Sequence, residues 1–260
     1  MMIDKVTLFH FSPNGLTRKT ALNVIKGLGS VHVDEVDLSD FKTRWTKTKV
    51  SANSLAVFAF PVYSGRLPQI AKEVFNHFSS EGALAVALVV YGNRDFEDAL
   101  LELKNNLIHC GFVPMAAAAF IAEHAMNPLL GSHRPDSTDL EIQVTFGKQI
   151  KEKIDGIVNP SEVSIEVSGH YPYRELSDLP IAPTLIGTCD HCMQCAENCP
   201  VCAIDPVDPA RTDAFRCILC LRCVSICPNK ARAVTNEKYT LSIEKLALMY
   251  RTRKEPSLFI

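Results

Sequence analysis

No apolar run in this 260-residue chain is long enough to cross a bilayer. The two most hydrophobic stretches, Leu55 to Tyr63 and Ala83 to Tyr91, reach about half of the roughly 20 residues required. They read as buried strands. No charge of one sign dominates either: a formal net charge of -2 and a pI near 6.4 provide no global attraction to nucleic acid or to an anionic membrane. Partners must be recognised locally. Residues Met1 to Phe11 carry Asp4 and Lys5 and lack the apolar run and small-residue cleavage pattern of an export signal, so a cytoplasmic location is expected. No Gly-x-Gly-x-x-Gly follows a predicted strand, and nothing marks a nicotinamide site. Cysteine is almost missing before residue 189, where Cys110 stands alone; the other nine of the ten crowd into 189–227. Scattered disulfide staples do not look like this. In a reducing compartment such crowding reads as metal or cluster binding.

What is present divides into one large and one small domain, as the length allows. From residue 3 to about 158, short apolar runs alternate with helical periodicity, the pattern of βα units around a parallel sheet. Strands are expected at Val6 to Phe11, Val31 to Val36, Leu55 to Val62, Leu84 to Val90 and Val113 to Ile121. Helices are expected where apolar residues recur at three and four: Leu67, Ile70, Ala71, Val74, Phe75 and Phe78, then Phe96, Ala99, Leu100, Leu103 and Leu107. A last helix is expected over Leu140 to Ile157, with Ser137 or Thr138 as its N-cap. Beyond Val158 the periodicity stops, and Pro160, Pro172, Pro180 and Pro183 mark a linker. A helix-like piece, Ile243 to Tyr250, leads into the basic run Arg251, Arg253, Lys254 and is expected to pack back on one of the domains.

The cysteines carry the most specific signal. Cys189, Cys192, Cys195 and Cys199 followed by Pro200 are spaced by two, two and three residues; Cys217, Cys220, Cys223 and Cys227 followed by Pro228 repeat the pattern 28 residues later. An internal duplication with pseudo-two-fold symmetry follows. Three cysteines so spaced wrap one corner of a cubane, and the fourth, before a proline, reaches the other cluster. Zinc knuckles use separated Cys-x-x-Cys pairs instead. The pattern closely resembles the bacterial two-cluster ferredoxins. That resemblance implies two 4Fe-4S clusters, one held by Cys189, Cys192, Cys195 and Cys227 and the other by Cys217, Cys220, Cys223 and Cys199. The segments Ala203-Ile204-Asp205 and Ala231-Arg232-Ala233-Val234 match the residues packed beside such clusters. Cys202 and Cys110 read as small core residues, and His191 as a solvated neighbour of the ligands.

Five strands alternating with helices fit the α/β flavodoxin-like doubly wound parallel sheet, order 2-1-3-4-5, with an FMN site at the switch point between strands 1 and 3. The loop Ser12-Pro13-Asn14-Gly15-Leu16-Thr17 opens a helix and has the small residues and hydroxyls that suit a phosphate. It resembles the flavodoxin phosphate loop, except that Asn14 stands where threonine is usual. The loop Pro61-Val62-Tyr63-Ser64-Gly65-Arg66 and the loop Tyr91-Gly92-Asn93-Arg94-Asp95-Phe96 each pair an aromatic ring that can stack on an isoalloxazine with a glycine that admits its edge. Preferred FMN contacts are Asn14, Tyr63, Gly65, Tyr91, Gly92 and Asn93. The loop after the fifth strand, with His124, Asn127, His133 and Arg134, reads as an ordinary solvated loop rather than a cover for the flavin.

Taken together the modules resemble the flavodoxin and ferredoxin fusion proteins of anaerobic bacteria and archaea. The implied organisation is an FMN domain over 1–160, a linker over 161–184, a small α+β two-cluster domain over 185–236, and a C-terminal helix and tail over 237–260. A cubane passes one electron and FMN holds one or two, so the expected activity is electron relay between low-potential donor and acceptor proteins. The alternative is an FMN-dependent reductase of a small molecule fed through the clusters.

Overall fold

The computed structural model describes residues 3, 5–176 and 179–260; the sequence expectations that fall on Met1, Met2 and Asp4, and on Ser177 and Asp178 of the linker, lie outside the described residues. Its strands are β1 (Lys5–His10), β2 (His32–Asp37), β3 (Thr48–Val50), β4 (Leu55–Pro61), β5 (Phe78–Ser80), β6 (Leu84–Tyr91), β7 (Val113–Ile121), β8 (Thr184–Leu185), β9 (Arg232–Ala233) and β10 (Ser257–Phe259). Its helices are α1 (Leu16–Gly27), α2 (Ala71–Val74), α3 (Ala99–His109), α4 (Ser137–Gly156), α5 (Gln194–Glu197), α6 (Arg222–Ser225) and α7 (Glu237–Met249).

The main sheet runs β10-β7-β6-β4-β1-β2. Five of these strands are parallel, and their order by sequence is 2-1-3-4-5, the flavodoxin-like arrangement. The near-continuous apolar runs explain why: β6 is buried along its whole length, as a parallel strand with helices on both faces must be. One face carries Phe9, Phe58, Phe60, Phe75 and Phe78 under α2 and α3. The other is covered by α1 and α4, through Val24, Ile25, Phe146 and Ile150. Those two helices touch backbone to backbone. A Cβ on Gly147 would stand 2.0 Å from the Val24 carbonyl oxygen, and one on Gly27 2.1 Å from that of Val144.

Three expectations are corrected. The helix foreseen from Leu67 to Phe78 is only the single turn α2 followed by a 3-10 turn, Phe75–His77. Phe78 continues as strand β5, paired with β3, because its ring is buried against Phe9 and Phe58 in an extended chain. The N-cap of α4 is Asp136 rather than Ser137 or Thr138, in a reciprocal capping box with Asp139. The sheet also has a sixth strand: the C-terminal segment returns as β10, antiparallel to β7, and covers what would be an open edge.

The stretch after α4 is not free chain. Backbone N–H groups of His170 and Arg174 donate to the Asp98 carboxylate at 2.8 and 2.7 Å, at the start of α3. Arg66 makes a two-pronged pair with Glu102 at 2.8 Å and lies over the Tyr173 ring.

Candidate functional site

The switch point between β1 and β4 opens into a cavity of about 650 Å³. Four loops at the carboxyl ends of the strands line it. After β1 come Ser12, Asn14, Leu16 and Thr17; after β4, Pro61, Val62, Tyr63, Ser64 and Gly65; after β6, Tyr91, Gly92 and Arg94; after β7, Glu123, His124, Met126 and Leu130. A further wall comes from the far end of the chain: Ile218 to Leu221 of the cysteine-rich module, with Tyr239, Ser242, Ile243 and Leu246 of α7.

Gly15 caps α1 in the left-handed conformation, with φ of 85°, and hands the helix's free N–H groups to the cavity. Arg18 N–H is already taken by the Ser12 hydroxyl at 3.0 Å, and Ser12 N–H by the Ser39 hydroxyl at 2.7 Å, so the loop is fixed from below. Burial pushes the Tyr91 hydroxyl up to about 12. It pushes the Tyr63 hydroxyl up strongly as well, aided by the charges of Cys220 and Cys217 beside it. Both rings are therefore neutral, apolar surfaces. Helix N–H groups, Thr17 and Ser12 hydroxyls, and two tyrosine rings form a donor set that fits a phosphorylated, planar ligand such as FMN.

Gly15, Asn93 and Phe96 do not line the cavity. Asn93 is 1% exposed, and its amide donates to the Tyr250 and Thr252 carbonyls at 2.6 and 2.9 Å, while Lys254 N–H donates back at 3.2 Å. Its side chain is spent on the returning tail. Phe96 is buried against Tyr91, ring centroids 5.6 Å apart. The loop after β7 is more than solvated chain: His124 lies against Gly92, where a Cβ would stand 2.4 Å from the ring. Its Nδ1 accepts from Met126 N–H at 3.2 Å, and burial, then the Arg94 charge, lowers its pKa. Arg134 turns away instead and pairs with Asp139 in the interior.

The cysteine-rich module repeats its backbone as well as its sequence. Left-handed residues occur in pairs 28 apart: His191 and Leu219 (φ 55° and 54°), Met193 and Leu221 (59° and 59°), Cys202 and Lys230 (49° and 50°). The Ala203 N–H donates to Cys199 Sγ at 3.2 Å, and the Ala231 N–H to Cys227 Sγ at 3.3 Å. Non-glycine residues in this conformation cost about 1–2 kcal/mol each, and here they bend the chain around the sulfurs. All ten cysteines are free thiols. Burial raises the thiol of Cys220 to about 12 and that of Cys223 to about 11, and the neighbouring charge of Cys199 acts on both and on Cys217. Cys189 acts on Cys195 in the same way. Among the described residues no three His, Cys, Asp or Glu side chains converge as ligands of a single ion would. Cys110 is core, its thiol directed at the Phe75 carbonyl. Cys202 is only partly buried, beside Cys199 and Arg44. His191 is exposed.

The two sites are joined directly. Asn14, in the expected phosphate loop, donates to the Cys220 carbonyl at 2.7 Å and accepts from the Ser225 hydroxyl at 3.1 Å. Arg222 donates to the Pro13 carbonyl at 2.6 Å, and Arg44, buried between the rings of Phe41 and Trp45, donates to the Pro200 carbonyl. Sequence reasoning missed this wall and the role of Asn14 in it; the departure from threonine was the one available sign.

Residues 210–233 match the family described as 4Fe-4S binding domain. No curated protein matches the chain. Among solved structures, a flavodoxin from the domain Archaea is 15% identical with a TM-score of 0.41, over 58% of this chain and 99% of its own. Flavodoxin 2 from Bacillus cereus is 15% identical with a TM-score of 0.40, over 57% and 99%. An FMN-dependent NADH-azoreductase from Bacillus anthracis is 9% identical with a TM-score of 0.37, over 58% and 99%. The fold assignment rests on the strand order rather than on these scores. No helix among the described residues is long and apolar enough to cross a membrane. A doubly wound parallel sheet of strand order 2-1-3-4-5 and a segment matching a 4Fe-4S binding domain thus share one polypeptide.

Proposed function

We propose that this protein relays electrons between two 4Fe-4S clusters, FMN and protein redox partners in the cytoplasm. The observation that carries the reading is that Ile218 to Leu221, the segment containing one expected cluster ligand, forms a wall of the cavity at the flavodoxin switch point. When bound, a cubane supplies single electrons and FMN accepts one or two. The chain's own residues hold the two sites together. Asn14 ties the expected phosphate loop to the Cys220 carbonyl, Arg222 binds the Pro13 carbonyl of the same loop, and Tyr63 lines the cavity where Cys220 also lines it. The expected ligand set of Cys199, Cys217, Cys220 and Cys223 is then the one next to the flavin. The other set includes the exposed Cys192, which suits a surface where a partner delivers electrons. No side chain is required as acid or base.

Anaerobic reconstitution with iron, sulfide and FMN is expected to load about eight irons and one flavin per chain. Replacing Cys217 and Cys220 by serine is then expected to slow flavin reduction by a low-potential donor at least tenfold in stopped-flow measurements. An unchanged rate refutes the relay. His124 and Arg94 in the cavity favour a second reading, in which a small acceptor is bound over the flavin and reduced; steady turnover with such an acceptor, lost in His124→Ala, distinguishes it.

A further inference from the structure

The duplication in the cysteine-rich module breaks at one interior position. Ile204 of the first half, 4% exposed, corresponds 28 residues later to Arg232, 2% exposed. An apolar side chain in one half is a guanidinium in the other. Nη1 of Arg232 lies 3.9 Å from Cys195 Sγ and donates to the Pro209 carbonyl at 2.5 Å. Nη2 donates to the Pro183 carbonyl at 2.9 Å and to the Thr212 hydroxyl at 2.7 Å, and Nε is buried without a partner. The Arg232 charge also acts on the Cys223 thiol.

Among the described residues, every acceptor Arg232 meets is a neutral oxygen or a cysteine sulfur; none is a carboxylate. A cation so deeply buried, compensated only by dipoles, is costly, and something anionic must offset it. It approaches Cys195 of one expected ligand set, and its charge acts on Cys223 of the other. We propose that Arg232 is the shared counter-ion of the two clusters, raising their reduction potentials and screening each from the charge of the other. The inference rests on the two-cluster reading above. Each one-electron reduction adds one negative charge to a thiolate-bound cubane, so a fixed cation in a low-dielectric interior favours the reduced form. Because Ile204 occupies the equivalent place, only one such cation serves both sites.

The test uses the full-length, cluster-loaded protein under anaerobic conditions, with iron and sulfide counted and both midpoint potentials read by EPR-monitored titration against dithionite. Arg232→Met is expected to lower the equilibrium constant for reduction of the clusters at least tenfold, about 59 mV per one-electron step. Arg232→Lys, which keeps the charge, is expected to stay within about threefold of the parent, or 28 mV by the same conversion. Arg232→Met protein that holds both clusters at unchanged potentials overturns the proposal. If Arg232→Met fails to retain two clusters, loading by Arg232→Lys supports it. Failure of Arg232→Lys to load as well makes the side chain a strut between Pro183, Pro209 and Thr212 and also overturns it. A parent protein with fewer than two clusters refutes the two-cluster reading itself, a result the iron count gives before any variant is made.

Discussion

Gly147→Ala tests whether the loop after β1 that lines the cavity is positioned by the crossing of α1 and α4. The added Cβ would stand 2.0 Å from the Val24 carbonyl oxygen and 2.8 Å from the Gly27 Cα, and both are backbone atoms that move only with the helix. Overpacking costs about 1–3 kcal/mol, and with no flexible side chain to yield the upper end applies. Alanine returns about 1 kcal/mol through helix propensity. The net is a loss of about 2 kcal/mol, which for a protein of this size lowers Tm by roughly 4–8 °C. Because α1 begins at the loop lining the cavity, flavin affinity is expected to fall with it. Gly156→Ala, in the same helix with nothing within 4 Å of the new methyl, is the control and is expected to leave Tm unchanged or slightly raised. Differential scanning calorimetry on both variants decides. A Gly147→Ala protein as stable as Gly156→Ala refutes the close-crossing argument.

Two further perturbations follow from buried polar groups. Glu102→Ala leaves the Arg66 guanidinium, whose side chain is 11% exposed, without its carboxylate; a loss of about 3–5 kcal/mol in denaturant unfolding and faster proteolysis within 170–174 are expected, and a change under 1 kcal/mol contradicts the assignment. His124 has a pKa lowered from 6.5 by burial and by Arg94, so the unfolded chain takes up its proton first as pH falls: no penalty exists above 6.5, and stability declines below it until the folded form is protonated too. His10, also lowered by burial, contributes in the same direction, so His124→Gln is expected to flatten the decline in thermal melts between pH 7.5 and 5.5 without abolishing it; an identical slope is inconsistent with a buried neutral His124.

The five parallel strands were legible because burial on both faces leaves unbroken apolar runs, as in β6. The segment from Leu67 to Phe78 misled because spacings of three and four suit a helix until a single aromatic, Phe78, finds a better place in an extended chain. β3, β5 and β10 are three residues each, too short to show a period. At the site, loops following strands pointed to the rim of the sheet where the cavity opens, and most of the chosen residues line it. Asn93 did not, because its partners lie 157 to 161 residues away, a distance over which local pattern carries no information. Arg232 was read only as part of a segment expected beside the clusters, and its burial could be learned only from the fold.

The return of the chain as β10 alters what the cluster module is in topological terms. It is an insertion, leaving the sheet after α4 and re-entering it at β7, rather than an appendage hung from one end. A domain tethered at one end can swing away and meet its neighbour at a concentration set by linker length. One anchored at both ends, with Asp98 gripping the outgoing chain and Asn93 the returning tail, has far fewer orientations open to it. The placement of Cys220 at the wall of the cavity is then a property of the fold, insensitive to dilution and to crowding.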